Sequence, residues 1–252
     1  MERKDFLKGL GLVGLGSLAI PIISSCGSDD DSSNDSGTTD TTEATDTGSS
    51  SGSSTCSVSP TETEGPFPTK SPSSLVKSDI TSDRTGIPLT INITIKNKNA
   101  SCAALQGALV DIWHCDKDGY YSEYGGTGMQ SADFTSVHFL RGRQTTNANG
   151  LVSFTSIFPG WYSGRATHIH LHIYNSTGTS LLVTQIAFPE GSGSAVVLVN
   201  ASTASGYTKG MSGYTYNAND NVFSDGVSTE LSTVTGSVAA GFVLTHSINV
   251  AG

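Results

Sequence analysis

The sequence predicts an all-β fold, a sandwich of two sheets, for the part of the chain that follows residue 55. Charged residues make up only 14% of the 252 residues, and 29 glycines occur together with abundant Ser, Thr, Val and Ile. No helical period persists for more than a couple of turns after residue 60. Short apolar stretches separated by Gly and Asn turns are typical of a β-sandwich.

Residues 1–25 resemble an export signal. Three basic residues lie near the start, and residues 9–23 are almost entirely apolar. This run is too short to cross a bilayer and is typical of the hydrophobic region of a signal peptide. It ends in Ile-Ser-Ser-Cys, which resembles the lipobox of bacterial lipoproteins, so we expect Cys26 to carry lipid. The alternative is an ordinary signal peptide with Cys26 as a free or paired thiol.

Residues 26–55 are predicted to be a disordered tether. Ser, Thr, Gly and Asp dominate residues 27–55, and no apolar side chain larger than alanine is available there for burial. Much of the net charge of −9 comes from this segment, which has acidic but no basic residues. Nucleic-acid binding is not expected, because the chain has no basic stripe. The acidic run after Cys26 resembles tags that direct lipoproteins outward, which predicts an outer-membrane or cell-surface location.

Residues 56–252 are predicted to form one domain, long enough for a hydrophobic core. Alternation of apolar and polar residues, or short apolar runs, predict the strands. The predicted strands cover residues 89–95, 108–113, 141–146, 151–158, 168–173, 181–188, 195–199 and 242–250. The Asn149-Gly150 turn predicts that the strands on either side of it pair as a hairpin.

The cysteines are consistent with export to an oxidising compartment. If Cys26 carries lipid, an odd number of cysteines remains. We expect a disulfide between Cys56 and Cys102 that ties the start of the domain to the end of a strand. Cys115 would then be a small buried hydrophobic residue. The rival pairing joins Cys102 to Cys115.

One predicted strand has a face of histidines. His168, His170 and His172 alternate with Ile and Leu, so one face is apolar and the other carries imidazoles. Neighbours on one face have Cα atoms about 6–7 Å apart, close enough for two imidazoles to converge on one metal ion. Tyr162 precedes this strand, and Tyr121 lies in a tyrosine-rich turn after another strand.

Two tyrosines beside two histidines would favour ferric iron. Tyrosine is an unusual ligand because its ordinary pKa is about 10. A hard, strongly Lewis-acidic cation such as Fe(III) can deprotonate the phenol. Zinc more commonly takes three histidines, or histidine with carboxylate or thiolate. A non-haem Fe(III) site is therefore predicted, provided that Tyr121 and Tyr162 face the histidines.

Three segments, taken in order, resemble the intradiol ring-cleavage dioxygenases, the family of catechol 1,2-dioxygenase and protocatechuate 3,4-dioxygenase. They are Ala108–Ser122 with its Gly-Tyr-Tyr-Ser turn, Pro159–Tyr162 and Arg165–His170. The resemblance covers essentially all of residues 56–252. It implies cleavage of a catechol between its two hydroxylated carbons with O2, giving a muconate-type diacid, without an organic cofactor.

The resemblance implies a role for each matching residue. The implied iron ligands are Tyr121, Tyr162, His168 and His170. Tyr162 would also accept a substrate proton, Arg165 would stabilise negative charge that develops on the substrate, and Gln185 would help to position it. Pro66 and Phe67 match residues that line the family's pocket.

Two features depart from the best-known members. The connection from Tyr162 to His168 is shorter, which should leave a more open cleft, and a tether replaces the N-terminal helical dimerisation region. The expected partners are a small catechol and O2, with membrane contact through the lipid anchor only. Two other hypotheses remain open: a lipid-anchored module that binds glycan or protein, and a zinc hydrolase that uses the H-x-H pair.

Overall fold

A computed structural model describes residues 56–126, 128–201 and 205–252 of the protein. The expected signal peptide (1–25) and the tether (26–55), including Cys26, lie outside these ranges. The strands of the described part are β1 (Pro88–Asn97), β2 (Ala103–Ala104), β3 (Leu109–Trp113), β4 (Arg141–Thr145), β5 (Leu151–Ile157), β6 (His168–Tyr174), β7 (Ser180–Ala187), β8 (Thr233–Ser237) and β9 (Gly241–Val250). One α-helix, α1, spans Ala195–Ala201 there, and 3₁₀ turns cover Pro72–Ser74, Lys98–Ala100 and Asn217–Asn219.

The strands form two sheets, as the sequence predicts. Sheet A has the order β4-β3-β6-β7, and its neighbouring strands are all antiparallel. In sheet B, β9 lies between β1 and β8 and runs parallel to β1. The strands β2 and β5 pair with successive parts of the other edge of β1.

The core lies between the sheets because alternate residues of the strands are apolar. Buried side chains that share this core include Leu89, Ile91, Ile93 and Ile95 of β1 and Ile169, Leu171 and Ile173 of β6. The alternation that buries Ile169, Leu171 and Ile173 turns the histidines of β6 to the opposite face of sheet A.

The prediction that residues 141–146 and 151–158 form a hairpin is wrong. β4 pairs with β3 in sheet A, whereas β5 pairs with β1 in sheet B. The Asn149-Gly150 turn therefore carries the chain from one sheet to the other. The Ile95 N–H donates to the Gly150 carbonyl at 2.8 Å, which fixes the turn against β1. The apolar pattern of β5 matches that of β1, with Phe154 opposite Ile91, so non-local pairing is favoured over the local hairpin.

The prediction of a strand at residues 195–199 is also wrong, because this segment forms α1. Its buried residues are Ala195, Val196, Val199 and Asn200, which follow a helical period rather than alternation. Ser194 provides a helix start, since its hydroxyl accepts from the Val197 N–H at 3.3 Å. The β-branched valines favour a strand locally, and packing of one helical face overrides that preference.

The predicted disulfide between Cys56 and Cys102 is present, and Cys115 is a buried free thiol. The rival pairing of Cys102 with Cys115 is thereby excluded. Among the described residues, no helix is long and apolar enough to cross a membrane.

Candidate metal centre

The candidate site lies on the outer face of sheet A. Strand register places Trp113, His170 and Gln185 side by side on β3, β6 and β7. The indole of Trp113 stacks on the His170 imidazole, with ring centroids 5.1 Å apart and planes only 2° apart. Sheet geometry therefore fixes the plane of one histidine ring before any metal binds.

The two histidines point their Nε2 atoms at one another. His168 Nε2 and His170 Nε2 are 3.0 Å apart, and both side chains are buried. His168 Nδ1 lies 2.6 Å from the Ala166 carbonyl oxygen. A carbonyl can only accept, so Nδ1 of His168 carries the proton and its Nε2 lone pair faces His170. Nδ1 of His170 is buried without a hydrogen-bond partner among the described residues.

Burial keeps both imidazoles neutral. It lowers the pKa of His168 and of His170 well below the ordinary value, and the Arg165 charge lowers both further. Neutral imidazole is the form that binds metal ions.

Tyr121 is the third candidate ligand in contact with this pair of histidines. Its Oη lies 3.2 Å from His168 Nε2, and the side chain is fully buried. Its backbone is held by Gln130, whose amide accepts from the Tyr121 N–H and donates to the Tyr121 carbonyl. Burial raises the pKa of the phenol well above its ordinary value. An ionised Tyr121 would therefore require a bound cation.

Tyr162 approaches from the loop before β6. Its ring centroid lies 5.9 Å from that of Tyr121 and 5.7 Å from that of His168. Its side chain is partly exposed at the mouth of the site, whereas Tyr121 is sealed inside. The structure thus brings together the four predicted ligands, which come from β6 and two separate loops.

The donor set fits a hard metal ion. His168 Nε2 lies 3.0 Å from His170 Nε2 and 3.2 Å from Tyr121 Oη, close enough for all three donor atoms to bind one metal ion. Within the described ranges, no group of three or more His, Cys, Asp or Glu side chains could hold a metal ion. The histidines have phenols, rather than carboxylates or thiolates, as their companions, and this favours Fe(III) over zinc.

Arg165 lies beside these ligands, and all of its guanidinium nitrogens have neighbours. Nε donates to both oxygens of Asp220 at 3.0 and 2.9 Å, and Nη2 donates to Gln185 Oε1 at 2.5 Å. Nη1 lies 3.5 Å from Tyr162 Oη and 3.4 Å from His168 Nε2. Gln185 is fully buried and its amide donates to the Thr63 carbonyl, so it contacts Arg165 and the backbone.

Residues 62–70, which we call the cover segment, lie over His170. Gly65 adopts φ +69°, and a Cβ there would come within 2.8 Å of His170 Cε1. Only glycine allows the backbone to approach the imidazole so closely. Pro66 lines the cleft beside the site. Phe67 is buried and stacks on Tyr121, with ring centroids 4.9 Å apart, and it packs against this candidate ligand instead of lining that cleft.

Arg141 joins the cover segment to the Tyr121 loop, a role that the sequence did not reveal. It is fully buried, and it donates to the Phe67 carbonyl at 2.9 Å and to the Ser122 carbonyl at 2.6 Å. Glu123 lies 3.7 Å away as its charge partner. Burial lowers the pKa of Arg141 to about 10, so the guanidinium stays charged at neutral pH.

A cleft of about 420 Å³ opens at Tyr162 and Arg165. Pro66 and Val222 form apolar walls, and the exposed Ser163 and Gly164 leave its outer side open. The connection between Tyr162 and β6 is short, and the cleft is accessible from this side.

Comparisons with known proteins show which family and which folds this chain is similar to. A family model described as Dioxygenase matches residues 63–206, more than half of the 252-residue chain. A catechol 1,2-dioxygenase from Acinetobacter lwoffii is 29% identical over 123 residues, and a chlorocatechol 1,2-dioxygenase from Rhodococcus opacus is 29% identical over 110 residues. The alignments cover 42% and 36% of this chain but only 37% and 40% of those relatives.

Two solved structures match over a larger share. An intradiol ring-cleavage dioxygenase from Tetranychus urticae has a TM-score of 0.67 and 29% identity, covering 77% of this chain and 95% of that one. The dioxygenase domain of a carbohydrate-binding fusion protein from Streptomyces sp. SirexAA-E has a TM-score of 0.55 and 25% identity, covering 77% and 97%.

Proposed function

The chain belongs to the intradiol ring-cleavage dioxygenase family, and we propose on that basis that it cleaves a catechol between its two hydroxylated carbons, using O2 and a non-haem ferric ion. One observation carries the proposal. His168 Nε2 lies 3.2 Å from Tyr121 Oη and 3.0 Å from His170 Nε2, with Tyr162 at the mouth of the site. The expected product is a muconate-type diacid.

Tyr121, Tyr162, His168 and His170 would hold the iron. A ferric ion bound there would act as a Lewis acid toward the phenols and toward a chelating catechol. Held as a phenolate on the ion, Tyr162 could take up a catechol proton, and it is the more exposed of the two phenols. Arg165 Nη1, 3.5 Å from its oxygen, would stabilise the phenolate form. The same guanidinium faces the space where negative charge would develop on the substrate. The cover segment limits access of water from the His170 side.

The cleft favours an uncharged substrate. Among the described residues that line it, Arg165 is the only charged one, and its Nε edge is already paired with Asp220. A carboxylate on the catechol ring would therefore find no free cation and would lose hydration.

Steady-state assay of the iron-loaded protein tests this function. Catechol and a neutral alkyl catechol are expected to consume one O2 per molecule and to yield the ring-opened diacid, identified by mass. Protocatechuate is expected to have a kcat/KM at least about tenfold lower, since an unpaired buried charge costs more than 1.4 kcal/mol. A zinc-containing protein without ring cleavage would instead favour the hydrolase, and a protein that binds no metal would favour the binding module.

We also propose that the protein is exported and anchored by lipid at Cys26, at the outer membrane or cell surface. The Cys56–Cys102 disulfide supports an oxidising compartment. Mass spectrometry of the mature N-terminal peptide is expected to find a diacylated Cys26. An N-terminus without lipid, or one that begins upstream of Cys26, would contradict the assignment.

A further inference from the structure

Asp220 is a buried carboxylate next to the candidate centre that the sequence did not suggest. It has no exposed surface. Oδ1 accepts from Arg165 Nε and from the Val222 N–H at 2.8 Å, and Oδ2 accepts from Arg165 Nε and from the Ala166 N–H at 2.6 Å. With backbone donors on both oxygens, the carboxylate has little freedom to move.

This carboxylate determines where the rest of the guanidinium points. Arg165 has a planar fork of donors, so fixing two of its nitrogens also fixes the third. Asp220 holds Nε and Gln185 holds Nη2. The remaining Nη1 is thereby directed at Tyr162 Oη and His168 Nε2, at 3.5 and 3.4 Å.

The segment that carries Asp220 also supports the start of β6. The Ala166 N–H donates to Asp220, and the Thr167 N–H donates to Tyr214 Oη at 2.9 Å. These are the two residues directly before His168. The segment lies beyond residue 206, where the match to the family model ends. Its next residues, Asn221 and Val222, line the cleft.

We propose that Asp220 is the positioning residue for Arg165, holding its Nη1 toward the bound catechol. This inference rests on the proposed function. Asp220 does not contact the four candidate ligands. An asparagine at this position keeps one oxygen that can accept from the Ala166 N–H before His168, so turnover should fall while the metal centre stays assembled.

The isosteric variant Asp220→Asn tests this role. Its amide cannot accept from all the donors that the carboxylate serves. We expect kcat to fall about 10- to 100-fold, as when a partner that orients an active-site ligand is lost, with the tyrosinate–iron colour unchanged. The matched control is Asp225→Asn, the same change at an exposed aspartate of the same segment; its kcat should stay within twofold of wild type.

A double-mutant cycle separates positioning from a merely structural role. If Asp220 acts through Arg165, Arg165→Lys/Asp220→Asn should lose no more activity than Arg165→Lys alone. The proposal would be overturned if the double variant lost the product of the two single fold decreases in kcat, or if Asp220→Asn kept wild-type turnover.

A second measurement is independent of catalysis. The measurement is solvent exchange of the Arg165 Nε–H proton in the metal-free protein, followed by NMR, with the signal assigned by its absence in Arg165→Lys. Exchange should be slow in the wild type and fast in Asp220→Asn. Equal exchange in both proteins would contradict the positioning role. If the wild-type protein were inactive but its Arg165 Nε–H still exchanged slowly, the proposed function would be contradicted and the Arg165–Asp220 contact would still stand.

Discussion

Replacing Tyr121 by Phe is expected to abolish ring cleavage and to weaken iron binding. The phenol is fully buried, and its oxygen lies 3.2 Å from His168 Nε2. Removing a ligand should cost more than the about 10- to 100-fold that follows loss of a ligand's hydrogen-bond partner. The measurements are kcat, iron content and the absorption of the tyrosinate–iron charge-transfer band.

Stability separates this effect from misfolding. Without metal, Tyr121→Phe removes one hydrogen bond, so the free energy of unfolding should change by only about 1 kcal/mol. Tyr120→Phe is the matched control, because this neighbouring phenol has its ring 5.9 Å from Phe134 and lies outside the ligand set. Wild-type colour and turnover in Tyr121→Phe would remove Tyr121 from the metal centre.

Replacing Arg165 by Lys is expected to lower kcat about 10²- to 10³-fold, the usual cost of losing a fixed donor that faces developing charge. Lysine keeps the positive charge but has no planar fork, so it cannot contact Asp220 and Gln185 while facing Tyr162. Iron content and colour should remain those of the wild type, because the four ligands are unchanged. Steady-state kinetics with catechol, together with the absorption spectrum, measure both effects.

Arg84→Lys is the control for this substitution. Arg84 pairs with Asp83 and Asp116 and does not line the cleft, so the same change there should leave kcat within twofold of wild type. If Arg165→Lys turned over catechol as fast as Arg84→Lys, a charge-stabilising role for Arg165 would be untenable.

Local patterns were sufficient to predict the strand at the centre of the site. The alternation from His168 to Ile173 determines which face is buried, and it therefore places both imidazoles on the outer face of sheet A. The disulfide between Cys56 and Cys102 was also predicted, because few cysteines limit the possible pairs.

Pairing between distant segments was less predictable. The Asn149-Gly150 turn has the residues of a hairpin, yet β4 and β5 join different sheets because each finds a better-matched partner elsewhere. In the same way, the valines of α1 favour a strand until tertiary packing selects one helical face.

The residues that hold the site in place could not be predicted from the sequence for a related reason. Asp220 lies 55 residues after the arginine it holds, and Arg141 lies 74 residues after Phe67. Neither contact follows a sequence period. A single aspartate in a loop, or an arginine at a strand end, is indistinguishable from a surface charge until the fold buries it.

The resonance Raman spectrum of the iron-loaded protein, excited in its charge-transfer band, tests the central claim most directly. Two sets of tyrosinate vibrations are predicted, one lost in Tyr121→Phe and the other in Tyr162→Phe. A spectrum without tyrosinate vibrations, or one that neither substitution alters, would mean that the phenols do not bind the iron.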